Sequence, residues 1–503
     1  MGLTLNLVIR LKLANRPGTL ARVLTSIARE EGSLGSIDLI SASPSFTTRE
    51  LMIRLNHRDH LEALIRELEE IPEVQIINIA DRVFLKHLGG KIEVSPIRPV
   101  QNWEDLSLIY TPGVAEVSRA IAQNPDLAYR LTMKANSVAI VTDGSAVLGL
   151  GNIGPAAALP VMEGKSVLFK RFAGINAIPI CLGTQDSQSI IEMVAALAPA
   201  FGGINLEDIA APRCFEIEEK LSGLLDVPVF HDDQHGTAIV ALAGLINSLK
   251  VVGKQMAGVR VVISGAGAAG IAIAKMLKQA GAGRLVVCDR KGAISRDNPP
   301  DSPSKRWVAQ NTNEGLEHGG LKEVLAGADV FIGVSGPNLV GREDILSMAE
   351  RPVVFALANP DPEIDPGEIY DIAGIIATGR SDYPNQINNA LAFPGVFRGA
   401  LDCYARAIND QMSLAAARAL AGIVPADQLF AENIIPSVFN DQIVPVVSRA
   451  VKEAAESTGV ARELIDDQAL QDGPSRTKTG QGYEKIFPGR PIWNHPPMEM
   501  PMT

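Results

Sequence analysis

The sequence predicts an α/β chain in three folded parts: an N-terminal βαββαβ unit, a mixed α/β segment, and a doubly wound parallel sheet suited to a dinucleotide. Three observations carry this. Leu5, Leu7, Ile9, Leu11 and Leu13 alternate strictly, the mark of a half-buried strand. From about residue 236 to 400 the apolar runs VRVVIS, RLVVCD, DVFIGVS and VVFALA alternate with helical patterns, as strands of a parallel sheet covered on both faces do. The stretch VVISGAGAAG sets a GxGxxG spacing between one of those strands and a helix free of breakers.

At 503 residues, 46% hydrophobic and 20% charged, the chain has the size of roughly three packed domains and the composition of a globular protein. A net charge of -11, with no cluster of Lys or Arg, excludes nucleic acid as the main partner. Cys181, Cys214, Cys288 and Cys403 stand far apart without a CxxC, which excludes a disulfide scaffold or zinc finger and fits a reducing cytoplasm. Arg10 and Lys12 come too early for a signal-peptide core. The uncharged run 144–162 is the one membrane candidate, but its glycines, Asn152, Pro155 and Pro160 predict buried turns and short elements, so no membrane partner is expected.

Residues 1–80 come first. NRPG at 15–18 is a turn; Leu20, Val23, Leu24 and Ile27 keep helical spacing until Gly32. SIDLISA and ELMIRL read as strands, Leu61, Leu64, Ile65 and Leu68 as a second helix, and VQIINI as a closing strand. This order, with NRPGTLARV at the first turn, resembles the ACT family of small regulatory domains. The resemblance implies an amino-acid effector beside Asn15 to Gly18, the alternative being a unit that only packs or dimerises. Residues 81–235 mix helix and strand and are rich in Gly and Pro. Residues 236–460 hold the Rossmann-type dinucleotide sheet and a helical end; 461–503, rich in proline, reads as an extended tail.

GxGxxG occurs twice. Gly149, Gly151 and Gly154 run into Pro155 with no acid at the proper distance, which predicts a tight structural turn. Gly265, Ala266, Gly267, Ala268, Ala269 and Gly270 follow a strand and open a helix, whose N-terminal N–H groups suit a pyrophosphate. Asp289 ends the next strand about 20 residues on, where a ribose-binding acid belongs. It favours NAD; Arg290 and Lys291, which would neutralise a 2′-phosphate, keep NADP as the alternative.

INLEDIAAP offers Glu207 and Asp208, and VFHDDQHGTA offers Asp232 and Asp233 between His231 and His235. Each pair reads either as a helix start or as part of a cation site, because converging carboxylates repel unless a cation joins them. All-oxygen ligands suit Mg²⁺ or Mn²⁺; imidazole would favour zinc. Lys165, in what reads as a MEGK turn, is a base if a nearby cation and burial lower its pKa, and otherwise a surface lysine.

YTPGV at 110–114, VTDGSAVLGLGNIG at 141–154, MEGK, NLEDI, VFHDDQHGTA, GAGAAG, ALANP at 356–360 and NQINNALAFPGV at 385–396 occur in that order. Together they closely resemble the malic enzyme family over residues 81–460, and the ACT-like start resembles its bacterial-type members. The resemblance implies oxidative decarboxylation of (S)-malate to pyruvate and CO₂ with reduction of NAD, in a homodimer or higher oligomer. It implies Glu207, Asp208 and Asp233 as ligands of Mg²⁺ or Mn²⁺ with Asp232 behind them, Lys165 as general base and Tyr110 as general acid. Asn359 and Asn389, assisted by Asn388, would hold substrate, with Asn359 also beside the cofactor. One departure stands out: some members carry a carboxylate-gripping arginine where this chain has Ala146 and Val147, which leaves Lys134 as the candidate substitute. Two other readings compete, an ACT-regulated NAD-linked dehydrogenase of another pathway and a non-catalytic amino-acid sensor.

Overall fold

The computed structural model describes residues 5–463 apart from 148, 299 and 301, so nearly all of the tail expected at 461–503 lies outside the described residues. The chain divides into two compact units, 1–93 and 94–503.

The first unit is the expected βαββαβ order: β1 (Leu5–Ala14), α1 (Thr19–Arg29), β2 (Ser33–Ala42), β3 (Phe46–Leu55), α2 (Arg58–Glu69) and β4 (Val74–Asp81). The sheet runs β2-β3-β1-β4, and β3 pairs antiparallel with both neighbours, as β1 does with β4. The alternation in β1 does what it predicts, since Leu7, Ile9, Leu11 and Leu13 are all buried. Val23 and Ile27 of α1 and Leu64 and Leu68 of α2 close the same core. Gly18 caps α1 with φ +91°, a left-handed conformation that favours glycine at the end of the NRPG turn.

The second unit carries two parallel sheets. In the first, β5 (Ser137–Thr142), β6 (Asn176–Cys181), β7 (Gly203–Leu206) and β8 (Val229–His231) take the order β6-β5-β7-β8, all parallel. In the second, β9 (Arg260–Ser264), β10 (Arg284–Asp289), β11 (Gly292–Ala293), β12 (Val330–Gly333), β13 (Val353–Ala356) and β14 (Ile375–Thr378) take the order β11-β10-β9-β12-β13-β14. Only the short β11 is antiparallel to its neighbour. The predicted runs VRVVIS, RLVVCD, DVFIGVS and VVFALA hold β9, β10, β12 and β13, and the fully buried strand residues explain why those runs are continuously apolar.

One apolar core spans both sheets, joining Val138 and Ile140 of β5, Val261 and Ile263 of β9, and Phe355 of β13. The helix Asp232–Val252 passes through it. It has the length and composition to cross a membrane, but 72% of its apolar window is buried inside the protein, as in a core helix. The uncharged run 144–162 resolves into a glycine turn and the start of the helix Pro155–Ala173, with Pro155 in the first helical turn where a missing N–H costs nothing. Leu11→Ala should destabilise the N-terminal unit by about 2–5 kcal/mol, because Leu11 is fully buried between β3 and β4; chemical denaturation of the full chain, followed with a probe placed in residues 1–93, measures it.

Candidate active site

In an open parallel sheet, ligands gather beyond the carboxyl ends of the strands, where the winding direction reverses. The first sheet reverses between β5 and β7, since the chain leaves β5 for β6 on one side and returns to β7 on the other. The residues just past those ends are Asp143, Glu207 and Asp208; Asp232 and Asp233 follow β8.

The structure brings Glu207, Asp208 and Asp233 together: one carboxylate oxygen from each lies within 4.8 Å of the others. Asp208 adopts φ +53°, a conformation L residues adopt at a cost, and its N–H donates to Asp233 Oδ2 at 3.0 Å. Asp208 Oδ2 is buried without a hydrogen-bond partner. Glu207 Oε2 accepts from Asn205 Nδ2 at 3.0 Å. Lys165 Nζ pairs with both Glu207 and Asp232 and sits 4.6 Å from the centre of the Phe393 ring. MEGK is therefore no turn. Lys165 belongs to the helix Pro155–Ala173, where Met162, Ser166 and Phe169 pack inward and outweigh the ~1 kcal/mol that Gly164 costs.

The electrostatics follow from burial. Burial, then Asp233 and Glu207, push Asp208 up to about 9. Burial also raises Glu207 and Asp233, and lifts Asp232 to about 6 despite Lys165. Burial alone would lower Lys165, but Asp232, Glu207 and Asp233 outweigh it and raise its pKa above the ordinary lysine range. With carboxylates alone around it the lysine is thus charged, opposite to the lowered pKa a base requires. The donor set fits a hard divalent cation: three crowded oxygens, one with no partner, and no sulfur.

The two aspartates do begin a helix, but they do not cap it. His231 holds the N-cap position, without a side-chain cap bond. Gly236, one turn on, is required there, since a Cβ would stand 1.9 Å from Asp232 Oδ1. Neither histidine is among the three clustered ligand groups: His231 is buried with neither ring nitrogen hydrogen-bonded, Nδ1 lying 3.9 Å from Asp233 Oδ2, and His235 Nε2 meets Glu218 Oε1 at 2.9 Å.

Lys134 does not belong to the site. It precedes β5, at the opposite end of the strand from Asp143, where its Nζ donates to the carbonyls of Ala198 at 3.3 Å and Pro199 at 3.1 Å. At the carboxyl end of β5 a second cation beside Lys165's site is Arg213, whose Nη2 lies 2.9 Å from Asp143 Oδ2 and donates to Ser145 Oγ at 3.0 Å. Nothing in the sequence pattern marks Arg213.

In the second sheet the reversal falls between β9 and β12, and the second glycine fingerprint sits there. Gly265 has φ +117°, and a Cβ on it would meet the Val334 carbonyl at 2.8 Å; one on Gly270 would meet the Gly265 carbonyl at 1.8 Å. Gly267 caps the helix Ala268–Gln279, so Ala266, Ala268 and Ala269 lie along the turn into it. Asp289 ends β10. Its Oδ1 accepts from the Lys291 N–H at 2.8 Å and its Oδ2 from Lys305 Nζ at 2.5 Å, and this pairing with Lys305 holds its pKa low against burial. Lys305 was not legible as a neighbour of Asp289.

The first glycine turn has a packing role: a Cβ on Gly149 would lie 2.4 Å from the Asn359 carbonyl, so this loop closes on the ANP segment. Asn389 reaches the aspartate helix, its Cβ lying 3.1 Å from where a Gly236 Cβ would stand. Asn388 Oδ1 accepts from the Ala390 N–H at 2.9 Å. Tyr110 is not brought in. It is 67% exposed at the end of the helix Trp103–Ile109, and among the described residues no hydrogen bond or ion pair ties it to Lys165 or the carboxylates.

Family models give the same outline. One described as the malic enzyme NAD binding domain matches residues 234–456, one described as the malic enzyme N-terminal domain matches 89–189 and 184–222, and an ACT domain matches 3–78. The NAD-dependent malic enzyme of Geobacillus stearothermophilus is 54% identical over 462 residues, 92% of this chain and 97% of that protein. The bifunctional malic/malolactic enzyme of Bacillus subtilis is 53% identical over 385 residues, 76% of this chain and 94% of that one. Among solved structures, malic enzyme from Pyrococcus horikoshii matches with a TM-score of 0.72 at 48% identity, covering 78% of this chain and 92% of that one. NAD-dependent malic enzyme from Thermotoga maritima matches with a TM-score of 0.72 at 47% identity, covering 74% and 99%.

Asp208, raised to about 9, holds a proton that a cation must displace, and burial raises Glu207 and Asp233 in the same direction, so cation binding should tighten as pH rises. The sign for stability is opposite: folding raises the pKa of Asp208, so the metal-free protein loses stability as pH climbs toward about 9. Calorimetric titration with Mn²⁺ should show higher affinity at about pH 8 than at about pH 6, with proton release; affinity independent of pH would contradict it.

Proposed function

Because this chain belongs to the malic enzyme family, with an ACT domain at residues 3–78, we propose that it oxidatively decarboxylates (S)-malate to pyruvate and CO₂ with reduction of NAD. The observation that carries this is the meeting of Glu207, Asp208 and Asp233 beside Lys165, at a strand-end crevice of the unit that also contains a dinucleotide fingerprint.

A divalent cation, Mg²⁺ or Mn²⁺, held by Glu207, Asp208 and Asp233 would supply Lewis acidity, and a nicotinamide dinucleotide along Gly265–Gly270 would supply the hydride acceptor. The chain's own groups do the rest. Lys165 takes the proton of the substrate hydroxyl at Nζ. Once the charges of Glu207 and Asp233 are committed elsewhere, two of the three carboxylates that raise Lys165 no longer do so, and burial draws the amine toward its neutral form against Asp232 alone. Asp232, fully buried, keeps the amine aimed by pairing with it. Asn359, Asn388 and Asn389 offer amides that orient a carboxylate without adding charge to an already acidic pocket. Tyr110, which the single chain does not bring to the cluster, would give the proton of its own hydroxyl to carbon in the assembled oligomer.

The exposure of Tyr110 supports a homodimer or higher assembly, because Trp103, 85% exposed, Leu108 and Ile109 of the helix it ends are exposed as well, apolar area that water covers at a cost. Asp289 favours the two free ribose hydroxyls of NAD, while Lys305 beside it, with Arg290 and Lys291, leaves NADP as the alternative acceptor. A small-molecule effector at Asn15 to Gly18 is supported by the ACT domain match over residues 3–78.

The decisive assay follows malate-dependent reduction of NAD and of NADP by the purified full chain, with CO₂ measured, in Mn²⁺ and in a chelator. Reduction without CO₂, or activity untouched by the chelator, would overturn the proposal. Lys165→Ala should bind dinucleotide normally but lose about 10²–10⁴-fold in kcat/KM for malate; near-normal turnover would remove it from the base role.

A further inference from the structure

We infer that Glu218, outside the acid cluster, is a positioning residue that sets the backbone of the His231–His235 segment and thereby aims Asp232 and Asp233 in different directions. The inference rests on the reading that Glu207, Asp208 and Asp233 hold a divalent cation.

A helix leaves its first N–H groups without partners, and a nearby Ser, Thr, Asp or Asn side chain ordinarily serves them. At the start of the helix Asp232–Val252 that solution is closed. His231 is the N-cap and makes no side-chain cap bond. Both aspartates of the first turn are engaged elsewhere: Asp233 Oδ2 accepts the Asp208 N–H at 3.0 Å, and Asp232 Oδ2 faces Lys165. The partner comes instead from the helix Arg213–Leu224. Glu218 Oε1 accepts the His231 N–H at 2.9 Å and meets His235 Nε2 at 2.9 Å, while its Oε2 accepts from Gln234 Nε2 at 2.9 Å.

One carboxylate therefore receives a backbone donor and two side-chain donors from a five-residue segment, and its charge stands where a helix N-terminus favours an anion. The bonds fall on either side of the Asp232–Asp233 pair, at His231 before it and at Gln234 and His235 after it. They fix the φ and ψ values on which the divergence of the two carboxylates depends. Asp232 turns to the amine; Asp233 turns to Glu207 and Asp208. Glu218 itself contributes no oxygen to the cluster of three. The segment HDDQH thus contains one acid that faces the cluster, one that faces the amine, and three groups that tie it to Glu218: the His231 N–H and the side chains of Gln234 and His235.

The test is Mn²⁺ binding in the absence of substrate, read from the spin-resonance signal of free Mn²⁺, with NADH fluorescence reporting the dinucleotide site. Glu218→Ala should raise the Kd for Mn²⁺ about 10–100-fold, as loss of a group supporting metal ligands does, with dinucleotide affinity unchanged. Glu218→Gln, which keeps an acceptor oxygen but replaces the other by a donor facing Gln234 or His235, should fall between the two. A folded Glu218→Ala protein that binds Mn²⁺ within about twofold of the unaltered chain overturns the inference, as a helix tie with no positioning role would predict. Should Glu218→Ala fail to fold, Glu218→Gln decides by the same criterion. Failure of the unaltered chain to bind Mn²⁺ at all overturns the cation reading and this inference with it, whereas Mn²⁺ binding without malate oxidation overturns the proposed activity alone.

Discussion

Mutual repulsion among buried carboxylates is the constraint around which the catalytic unit is arranged. Glu207, Asp208 and Asp233 place oxygens within 4.8 Å of one another, where two charges repel by roughly 3–4 kcal/mol at an effective dielectric constant of about 20. Asp208 adds a left-handed backbone to that cost. A single ammonium, Lys165, lies among four acids, and burial raises the pKa of all four, that of Asp208 to about 9. A fold does not retain such a concentration of unfavourable terms for stability alone. Strained, partnerless and protonated groups concentrated at one strand-end crevice mark a place built to be completed by positive charge.

The architecture that holds the acids in place also joins them to the redox half. Each acid extends from the end of a short, fully buried strand of the first sheet. The longest described helix begins at those acids and runs through the core shared with the second sheet. Close approach is built into the joins: Gly236 clears Asp232 and Asn389, and Gly149 clears the Asn359 carbonyl. The two GxGxxG spacings therefore serve different ends. One gives a turn and a helix start that a pyrophosphate can approach; the other lets two loops of this chain touch.

The sequence was legible where local pattern and tertiary role coincide. The alternation of Leu5 to Leu13, the apolar β9, β10, β12 and β13, and the strand–glycine–helix context of Gly265–Gly270 are local facts with one folded outcome. It was illegible where the decisive fact is which end of a strand a residue occupies or what lies across a gap. Lys134 sits near β5 in the chain but at its amino end, so proximity in sequence suggested a role that geometry removes. MEGK carries a glycine that reads as a turn, yet packing keeps it helical. Arg213, Glu218 and Lys305 are three charged residues among many on exposed-looking helices, and only the fold shows that each reaches a strand end.

The acid cluster and the lysine are one electrostatic system, and neither can be assigned a role without the other. Burial draws the pKa of Lys165 down, and three carboxylates draw it further up. As long as those carboxylates have no other counter-charge, Lys165 must supply it and cannot accept a proton. Any change that satisfies Glu207 and Asp233 independently removes two of the three charges that raise Lys165 and shifts the amine toward the form that accepts a proton, with Asp232 alone opposing burial. The same event that relieves the repulsion therefore activates the proton acceptor. Asp232 makes this workable: pointed away from the cluster and toward the amine, it keeps Lys165 in place when the pull of the other acids is gone. The divergence of two adjacent aspartates is thus the geometric condition for the whole arrangement, one serving the charge that arrives and the other the base that this charge releases.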